Sequence, residues 1–146
     1  RVFIVAPDRY MTALDLATGR EIWRVKQRKV RETTGVSSDG TKIYAKTMDG
    51  ELLAVETAPD SYTEAWVTDA GWGYDHNPCP VEVHEGVAYM ANRTGCVAAV
   101  RESGELLWAE KFASSAANDF FVDGRNRLWM TFIEGKIFYL GDPVTR

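Results

Sequence analysis

The sequence predicts an all-β fold, a partial β-propeller of about 3.5 four-stranded antiparallel blades. Four stretches align without gaps, beginning at Val2, Ile43, Ala88 and Leu128, so their offsets are 41, 45 and 40 residues. Each stretch consists of an apolar run, a two-residue turn and a second apolar run. A period of about 40–50 residues made of short strands is typical of β-propellers, in which one period forms one blade.

The first strand of every unit has an aromatic residue at its second position. These residues are Phe3, Tyr44, Tyr89 and Trp129. In the strand that follows, apolar residues occupy odd and even positions alike, whereas a strand with one wet face would alternate. We therefore expect sheets that are sandwiched between neighbouring blades, with the aromatic column buried.

The turn between these two strands ends in glycine in three of the four units, at Gly50, Gly95 and Gly135. Glycine supplies the positive φ that tight hairpin turns require. The first unit has Arg9 at this position. We therefore predict a different turn geometry in the first unit.

Each of the first three units then returns to a tryptophan, and a further hairpin precedes the next unit. Counting strands between turns predicts three, four, four and three strands. We divide the chain into blade units at about 1–30, 31–71, 76–115 and 116–141. Because a ring typically closes with 4–8 blades, we expect residues 1–146 to be a fragment of one propeller domain, or two copies to complete each other.

Composition excludes several classes of function. The 45% of hydrophobic residues suits a domain with a core. A net charge of −4 argues against nucleic acid as a main partner. No apolar run approaches the ~18–20 residues of a membrane span. Cys79 and Cys96 match no metal-binding spacing, which leaves a disulfide or two unpaired buried thiols open.

One segment of the first unit carries a longer motif, Ala-x-Asp-x-x-Thr-Gly-x-x-x-Trp, formed by Ala13, Asp15, Thr18, Gly19 and Trp23. It resembles the tryptophan-docking motif of quinoprotein dehydrogenases and their non-catalytic relatives, the quinoprotein-like (PQQ-like repeat) propellers. The resemblance implies that the tryptophan of one blade packs on the next blade, and that the alanine leaves room for it.

The motif recurs in part in the next two units. The third unit retains Ala99, Ser103, Gly104 and Trp108, and the second retains only Ala54 and Trp66. By the same resemblance, Trp66 and Trp108 join Trp23 as docking residues.

The loop at residues 68–80, TDAGWGYDHNPCP, is the most irregular connection between units. In propellers of this type, the loops from an outer strand to the next inner strand rim the central channel. We therefore expect a ligand-binding cluster at one channel mouth, formed by Trp72, Tyr74, Asp75, His76 and Asn77 together with Arg28, Lys29 and Arg31 of the preceding loop. Such a set can bind a sugar, a phosphate or a peptide acid. The alternative is a loop stiffened by Pro78 and Pro80.

The resemblance implies a non-catalytic scaffold, as in the lipoprotein propellers of outer-membrane protein assembly. It further implies an extracytoplasmic location, periplasmic or secreted. We expect as partner a protein or the remaining blades of the same propeller, with self-association through open blade edges as a further possibility. We expect no nucleic acid partner and no membrane span.

We predict no catalytic residue, no cofactor and no metal site in this segment. Quinoprotein enzymes hold pyrroloquinoline quinone and Ca²⁺, in many members beside adjacent cysteines, which this chain lacks. Zinc is disfavoured because His84 lies more than about 15 Å along an extended chain from His76 and Cys79.

Two alternatives remain. The segments GYDHNPCP and EGKIF resemble propellers that follow the catalytic domain of some secreted bacterial metallophosphoesterases. In that case this chain is an accessory domain and the larger protein is a hydrolase. The other alternative is a fragment of a quinone-dependent dehydrogenase.

Overall fold

The structure is a computed structural model that describes residues 1–145, and this part of the chain contains fourteen strands and no helix. The strands form four antiparallel sheets, numbered here as blades 1 to 4. Blade 1 contains β1 (Val2–Val5), β2 (Met11–Leu14) and β3 (Glu21–Arg24), and blade 2 contains β4 (Val30–Val36), β5 (Lys42–Thr47), β6 (Glu51–Thr57) and β7 (Tyr62–Asp69). Blade 3 contains β8 (Glu82–His84), β9 (Val87–Ala91), β10 (Cys96–Arg101) and β11 (Leu106–Lys111), and blade 4 contains β12 (Ala117–Val122), β13 (Leu128–Phe132) and β14 (Ile137–Leu140).

The predicted all-β fold and the strand counts of three, four, four and three are therefore confirmed. Within each sheet the strands pair in sequence order, so every blade is a simple meander. Strands β4, β8 and β12 begin their blades and contact one another in turn, which defines the inner side of the assembly. Among the described residues, blade 1 has no strand equivalent to β4, and blade 4 has none equivalent to β7.

One row of paired residues crosses each blade with its side chains on the same face of the sheet. In blade 2 this aromatic row consists of Gly35, Tyr44, Ala54 and Trp66. Because Ala54 has only a methyl group, the rings of Tyr44 and Trp66 meet across it, with centroids 5.8 Å apart. Blades 1 and 3 repeat the arrangement around Ala13 and Ala99, with ring centroids 5.8 Å and 6.3 Å apart.

A β-bulge lies immediately before each of the three docking tryptophans. The strand register shifts after Ala13, Ala54 and Ala99, where the outer strand carries an extra residue. A bulge bends the strand and redirects the side chain that follows it. Because the bulge occurs at the equivalent position in three blades, the orientation of the tryptophan side chain is repeated along with the strands.

The hydrophobic core lies between the blades, as expected for sheets covered on both faces. Ala54 of blade 2 belongs to a buried cluster shared with blades 3 and 4, whereas Leu53 and Val55 belong to a cluster shared with blade 1. Tyr44 and Tyr89 are fully buried, as predicted. The prediction was wrong for Phe3 and Trp129, which are only partly buried. Phe3 lies on an edge strand, and Trp129 lies on a face that no further blade of the described chain covers.

The turn at Arg9 also differs from its prediction. Arg9 has a φ of 68°, close to the 73° of Gly50 at the equivalent turn, so the left-handed geometry is retained. A left-handed conformation costs a non-glycine residue about 1–2 kcal/mol. Two hydrogen bonds hold it here, from Arg9 N–H to the Ala6 carbonyl at 2.8 Å and from Tyr10 N–H to the Asp8 carboxylate at 3.0 Å.

Both cysteines are free, so the disulfide alternative is not realised. Cys79 is buried in the loop before β8, where its sulfur accepts the N–H of Ala91 at 3.4 Å. Cys96, at the start of β10, is only half-buried, contrary to the expectation of two buried thiols.

Candidate functional site

The loops that carry the predicted site residues lie together at one end of the sheets, called here the loop face. This end holds the hairpin between the second and third strands of each blade, and the loops that lead to the next blade. Met48 of the blade 2 hairpin donates its N–H to the Lys29 carbonyl at 3.3 Å and accepts the N–H of Asp75 at 2.9 Å. In this way one hairpin joins the loops on both sides of blade 2.

A cleft of ≈ 400 Å³ opens on the loop face between blades 1 and 2. We call it the Tyr74 cleft. Its lining residues come from the loop after β3, the β5–β6 hairpin and the loop after β7, and they are Gln27, Arg28, Lys29, Thr47, Met48, Asp49, Glu51 and Tyr74. The structure thus brings together Tyr74, Arg28 and Lys29, three of the predicted ligand-binding residues.

The charges around the Tyr74 cleft are mixed. Arg28 forms ion pairs with Glu64 at 3.3 Å and with Glu51 at 3.7 Å. Lys29 and Asp49 add one charge of each sign to the lining. The cleft therefore offers both positively and negatively charged groups rather than an excess of positive charge.

Two further arginines surround Met48 at the base of the hairpin. The Arg9 guanidinium lies 3.4 Å from the Met48 sulfur, and that of Arg31 lies 3.8 Å from it. Arg31 is buried and pairs with Glu32 at 2.9 Å, while its Nε finds no hydrogen-bond partner within residues 1–145. Arg31 thus supports the hairpin from inside and does not line the cleft.

Asp75 lies below the surface of the loop, while Asn77 is half-buried. The Asp75 carboxylate is buried, lies 3.2 Å from Lys46 Nζ, and accepts the backbone N–H groups of Asn77 and Arg93, each at 3.0 Å. Lys46 also donates to the Asn77 carbonyl at 2.9 Å. Burial by itself would raise the pKa of Asp75, but the two N–H donors and the Lys46 charge outweigh it and lower that pKa.

Lys46 was missed by sequence reasoning, although a signal was present. It lies on β5 beside Ala45, in a strand whose residues are buried on both faces. A buried ammonium group requires a partner of opposite charge. That partner is Asp75, the aspartate in the middle of the irregular loop at residues 68–80.

The remaining loop residues divide between packing and exposure. Trp72 packs against the hydrophobic core and covers the hairpin glycine Gly50, where an added Cβ would lie 3.2 Å from the Trp72 Cβ. Tyr74 and His76 are exposed, with ring centroids 5.8 Å apart. Ligand binding by this loop stays a prediction.

The docking contact lies at the opposite end of the sheets. Trp66 donates its indole N–H to the Glu102 carbonyl in the turn of blade 3 at 2.9 Å, and Thr68 donates its hydroxyl to the Gly104 carbonyl of the same turn at 2.6 Å. Trp108 repeats the contact one blade later, with the Pro143 carbonyl at 2.6 Å.

Trp23 is buried against blade 2 without this hydrogen bond. Its ring packs on Tyr62 with centroids 5.1 Å apart, and its indole N–H has no partner in the described chain. Twelve residues separate Ala54 from Trp66 in blade 2, against nine between Ala99 and Trp108 in blade 3. In the longer hairpin of blade 2, the Tyr62 ring takes the position against the indole.

The turn motif itself is built around Asp15. Its carboxylate accepts the N–H and hydroxyl of Thr18 at 2.8 Å and 2.9 Å and the N–H of Ala17 at 3.0 Å, and Gly19 then adopts a φ of 71°. The hydrogen bonds from Thr18 lower the pKa of Asp15. Asp142 forms the same turn, and its carboxylate accepts the N–H groups of Val144 and Thr145, each at 3.2 Å. This second Asp-x-x-Thr was readable in the sequence.

Neither a metal-binding cluster nor a membrane-spanning helix is found among the described residues. Within 1–145, no group of three or more His, Cys, Asp or Glu side chains is placed to hold a metal ion. This part of the chain also has no helix able to span a membrane.

The overall architecture is that of a β-propeller segment, and solved structures show the same fold. RRP9 WD40 repeats superpose with a TM-score of 0.78 at 12% identity, covering 99% of this chain and 45% of that chain. BamB from Moraxella catarrhalis gives 0.73 at 15%, covering 98% and 42%. The computationally designed Ika4 protein gives 0.75 at 12%, covering 96% and 85%. The chain thus spans less than half the length of the two natural propellers, RRP9 and BamB.

The sequence adds a narrower similarity. Residues 1–59 match the PQQ_2 family, described as outer membrane protein assembly factor BamB. This match covers blade 1 and the first three strands of blade 2, and it supports a PQQ-like propeller. No curated protein sequence gives a significant match to the chain.

Proposed function

We propose that this chain is a non-catalytic interaction segment of a quinoprotein-like propeller and that it binds a polypeptide in the Tyr74 cleft. The observation that carries the proposal is the exposed Tyr74 ring beside the mixed charges of Arg28, Lys29, Asp49 and Glu51 in a ≈ 400 Å³ cleft. Loops presented by a rigid scaffold commonly carry function. Tyrosine and arginine are the residue types enriched at protein interfaces.

A polypeptide suits the cleft better than a phosphate does. The Arg28 guanidinium is already shared between Glu51 and Glu64, so it is not free to form a bidentate contact with a phosphate. A peptide offers amide groups and both signs of charge, and Tyr74 supplies an apolar ring with a polar tip.

The larger context follows from the same similarity. We propose an extracytoplasmic protein, periplasmic or secreted, in which this chain serves as a scaffold. The match of residues 1–59 to a family described as an outer membrane protein assembly factor supports this location. An accessory role beside a secreted metallophosphoesterase domain rests on the segments GYDHNPCP and EGKIF, and a quinone-dependent dehydrogenase is the remaining alternative.

Random dodecapeptides displayed on phage, selected on the immobilised chain, would test the cleft. Peptides recovered this way should lose at least tenfold in affinity, measured calorimetrically, for Tyr74→Ala and for Arg28→Ala. Leu16→Ala is the matched control, because Leu16 is exposed in the Asp15–Gly19 turn at the opposite end of the sheets. Failure to select any peptide, or unchanged affinity for Tyr74→Ala, would contradict the proposal.

Reconstitution with pyrroloquinoline quinone and Ca²⁺ distinguishes a dehydrogenase from the proposed non-catalytic scaffold. We expect no stoichiometric uptake of the quinone and no dye-linked oxidation of alcohols or sugars. Uptake with turnover would establish the dehydrogenase and exclude the scaffold role.

A further inference from the structure

Tyr74 lies between two buried anchors of the loop at residues 68–80. On one side, Trp72 packs against the hydrophobic core and covers Gly50. On the other side, Asp75 is 2% exposed, whereas Tyr74 itself is 65% exposed. The loop therefore presents one exposed ring between an apolar anchor and a polar anchor.

The backbone beside Tyr74 contains two glycines that leave it free to turn. Gly71 and Gly73 have positive φ values of 77° and 68°. Glycine adopts either sign of φ at little cost, so it restricts the chain less than any other residue. The position of the Tyr74 ring therefore depends on the two anchors rather than on the local backbone.

Asp75 joins the residue next to Tyr74 to the hairpins of two blades. Its backbone N–H donates to the Met48 carbonyl in the β5–β6 hairpin at 2.9 Å. Its carboxylate accepts the Arg93 N–H in the β9–β10 hairpin at 3.0 Å and lies 3.2 Å from Lys46 Nζ. Movement of Asp75 would therefore disturb contacts with blades 2 and 3 together.

The ion pair under the loop is completely enclosed by the protein. Lys46 is fully buried and also donates to the Asn77 carbonyl at 2.9 Å. A buried pair often contributes little to stability compared with apolar residues of the same volume, and in some proteins it instead fixes one specific arrangement. The pair of Lys46 and Asp75 is placed to fix the arrangement of the loop that carries Tyr74.

We propose that Asp75, with Lys46 as its counter-ion, is the positioning residue that holds Tyr74 in the lining of the Tyr74 cleft. The inference rests on the proposed binding of a polypeptide in that cleft. Asp75 acts from inside the loop and is not among the residues that line the cleft. A ring that is already fixed loses less conformational entropy when the peptide binds, so removal of the anchor weakens binding.

The double variant Lys46→Met with Asp75→Leu separates positioning from stability. It removes both charges, so most of the native stability should remain. The N–H groups of Arg93 and Asn77 lose their acceptor, however. For a peptide selected on the wild-type chain, we expect the affinity measured by calorimetry to fall about tenfold. Lys46→Met with Asp75→Asn keeps one side-chain carbonyl as acceptor, and it should recover part of that affinity.

A matched control lies at the opposite end of the sheets. The Asp123 carboxylate also accepts two backbone N–H groups, from Arg125 at 2.8 Å and from Arg127 at 3.1 Å, and it pairs with the Arg127 side chain at 2.8 Å. Arg127→Met with Asp123→Leu removes this equivalent pair and should leave the peptide affinity at the wild-type value. A comparable loss of affinity in both double variants would overturn the proposal, because the effect would then be general.

Fluorine NMR reports on Tyr74 without any peptide. We expect 3-fluorotyrosine at this position to give one narrow resonance in the wild-type chain, and a shifted or broadened one in Lys46→Met with Asp75→Leu. An unchanged resonance would overturn the positioning role and leave peptide binding itself intact. If no peptide is selected on the wild-type chain, the proposed function fails, and the fluorine resonance alone then decides whether Asp75 positions Tyr74.

Discussion

The indole N–H of Trp108 reaches the carbonyl of Pro143 in the next blade at 2.6 Å, while that of Trp23 finds no acceptor in the described chain. The two tryptophans are otherwise alike, 7% and 6% exposed and each packed against an aromatic residue of its own row. Within the described chain, the Trp23 indole therefore contacts blade 2 by packing alone, whereas Trp66 and Trp108 combine packing with a hydrogen bond to the next blade.

Replacing each indole by phenylalanine should expose this difference. We expect Trp108→Phe to lower the free energy of unfolding by about 1 kcal/mol more than Trp23→Phe, because only the former loses a hydrogen bond. Urea denaturation followed by fluorescence measures both. Equal losses would show that the Pro143 contact contributes nothing. Truncation to alanine should cost about 3–5 kcal/mol at either position, since both leave a cavity.

Gly104 should tolerate substitution less well than Gly19. Both residues have a positive φ, 93° and 71°, so alanine is strained at either by about 1 kcal/mol. At Gly104 the added Cβ would also lie 3.0 Å from the Trp66 ring, while at Gly19 nothing lies within 4 Å. Thermal unfolding of the two alanine variants should place Gly104→Ala lower, and equal melting temperatures would argue against a tight Trp66 contact.

Asp75 should make stability depend on pH in the acid range. Its pKa is lowered in the folded state, so the unfolded chain binds the proton more readily. The stabilisation by Asp75 is complete when the pH is above the pKa of aspartate in the unfolded chain, about 3.9. It is lost as the pH falls through the pKa of Asp75 in the folded protein. The wild-type free energy of unfolding should therefore fall more steeply between about pH 5 and pH 2 than that of Asp75→Asn. Parallel profiles would contradict this prediction.

The buried pair of Lys46 and Asp75 should respond differently to single and double replacement. Asp75→Leu leaves the Lys46 ammonium buried without its carboxylate, which costs about 3–5 kcal/mol. Lys46→Met combined with Asp75→Leu removes both charges, and most of that loss should be recovered. Chemical denaturation of the two variants distinguishes them, and a double variant no more stable than the single one would count against the pairing.

The two thiols should differ in reactivity. Burial raises the pKa of Cys79 and shields its sulfur, while Cys96 is half-buried at the start of β10. Titration with a disulfide reagent should therefore detect one fast thiol in the native protein and two in denaturant. The Cys96→Ser variant should abolish the fast phase and leave Cys79 to react on unfolding. A fast phase that survives in Cys96→Ser would contradict the assignment.

Much of the fold could be predicted because the repeat is written into local chemistry. Hairpin glycines such as Gly50 and Gly95 mark the turns, and the regular spacing of the turns predicts the correct number of strands. Of the site, the irregular loop after β7 was identified, and Tyr74 and Arg28 do meet in one cleft. Asp75 and Arg31 were expected to face a ligand but lie inside, because a sequence does not show which charged residue will find an internal partner.

The sequence by itself therefore determined the number of strands, their pairing order and the tryptophan at the end of each of the first three units, since all of these depend on neighbours along the chain. Only the tertiary structure decided which residues of different blades meet. The Lys46–Asp75 pair, the acceptor of each indole and the exposure of Trp129 all depend on how one sheet lies against the next. Such contacts join residues about 30 positions apart, as in Lys46 and Asp75, or depend on a covering blade, so the local pattern that encodes a strand carries no record of them.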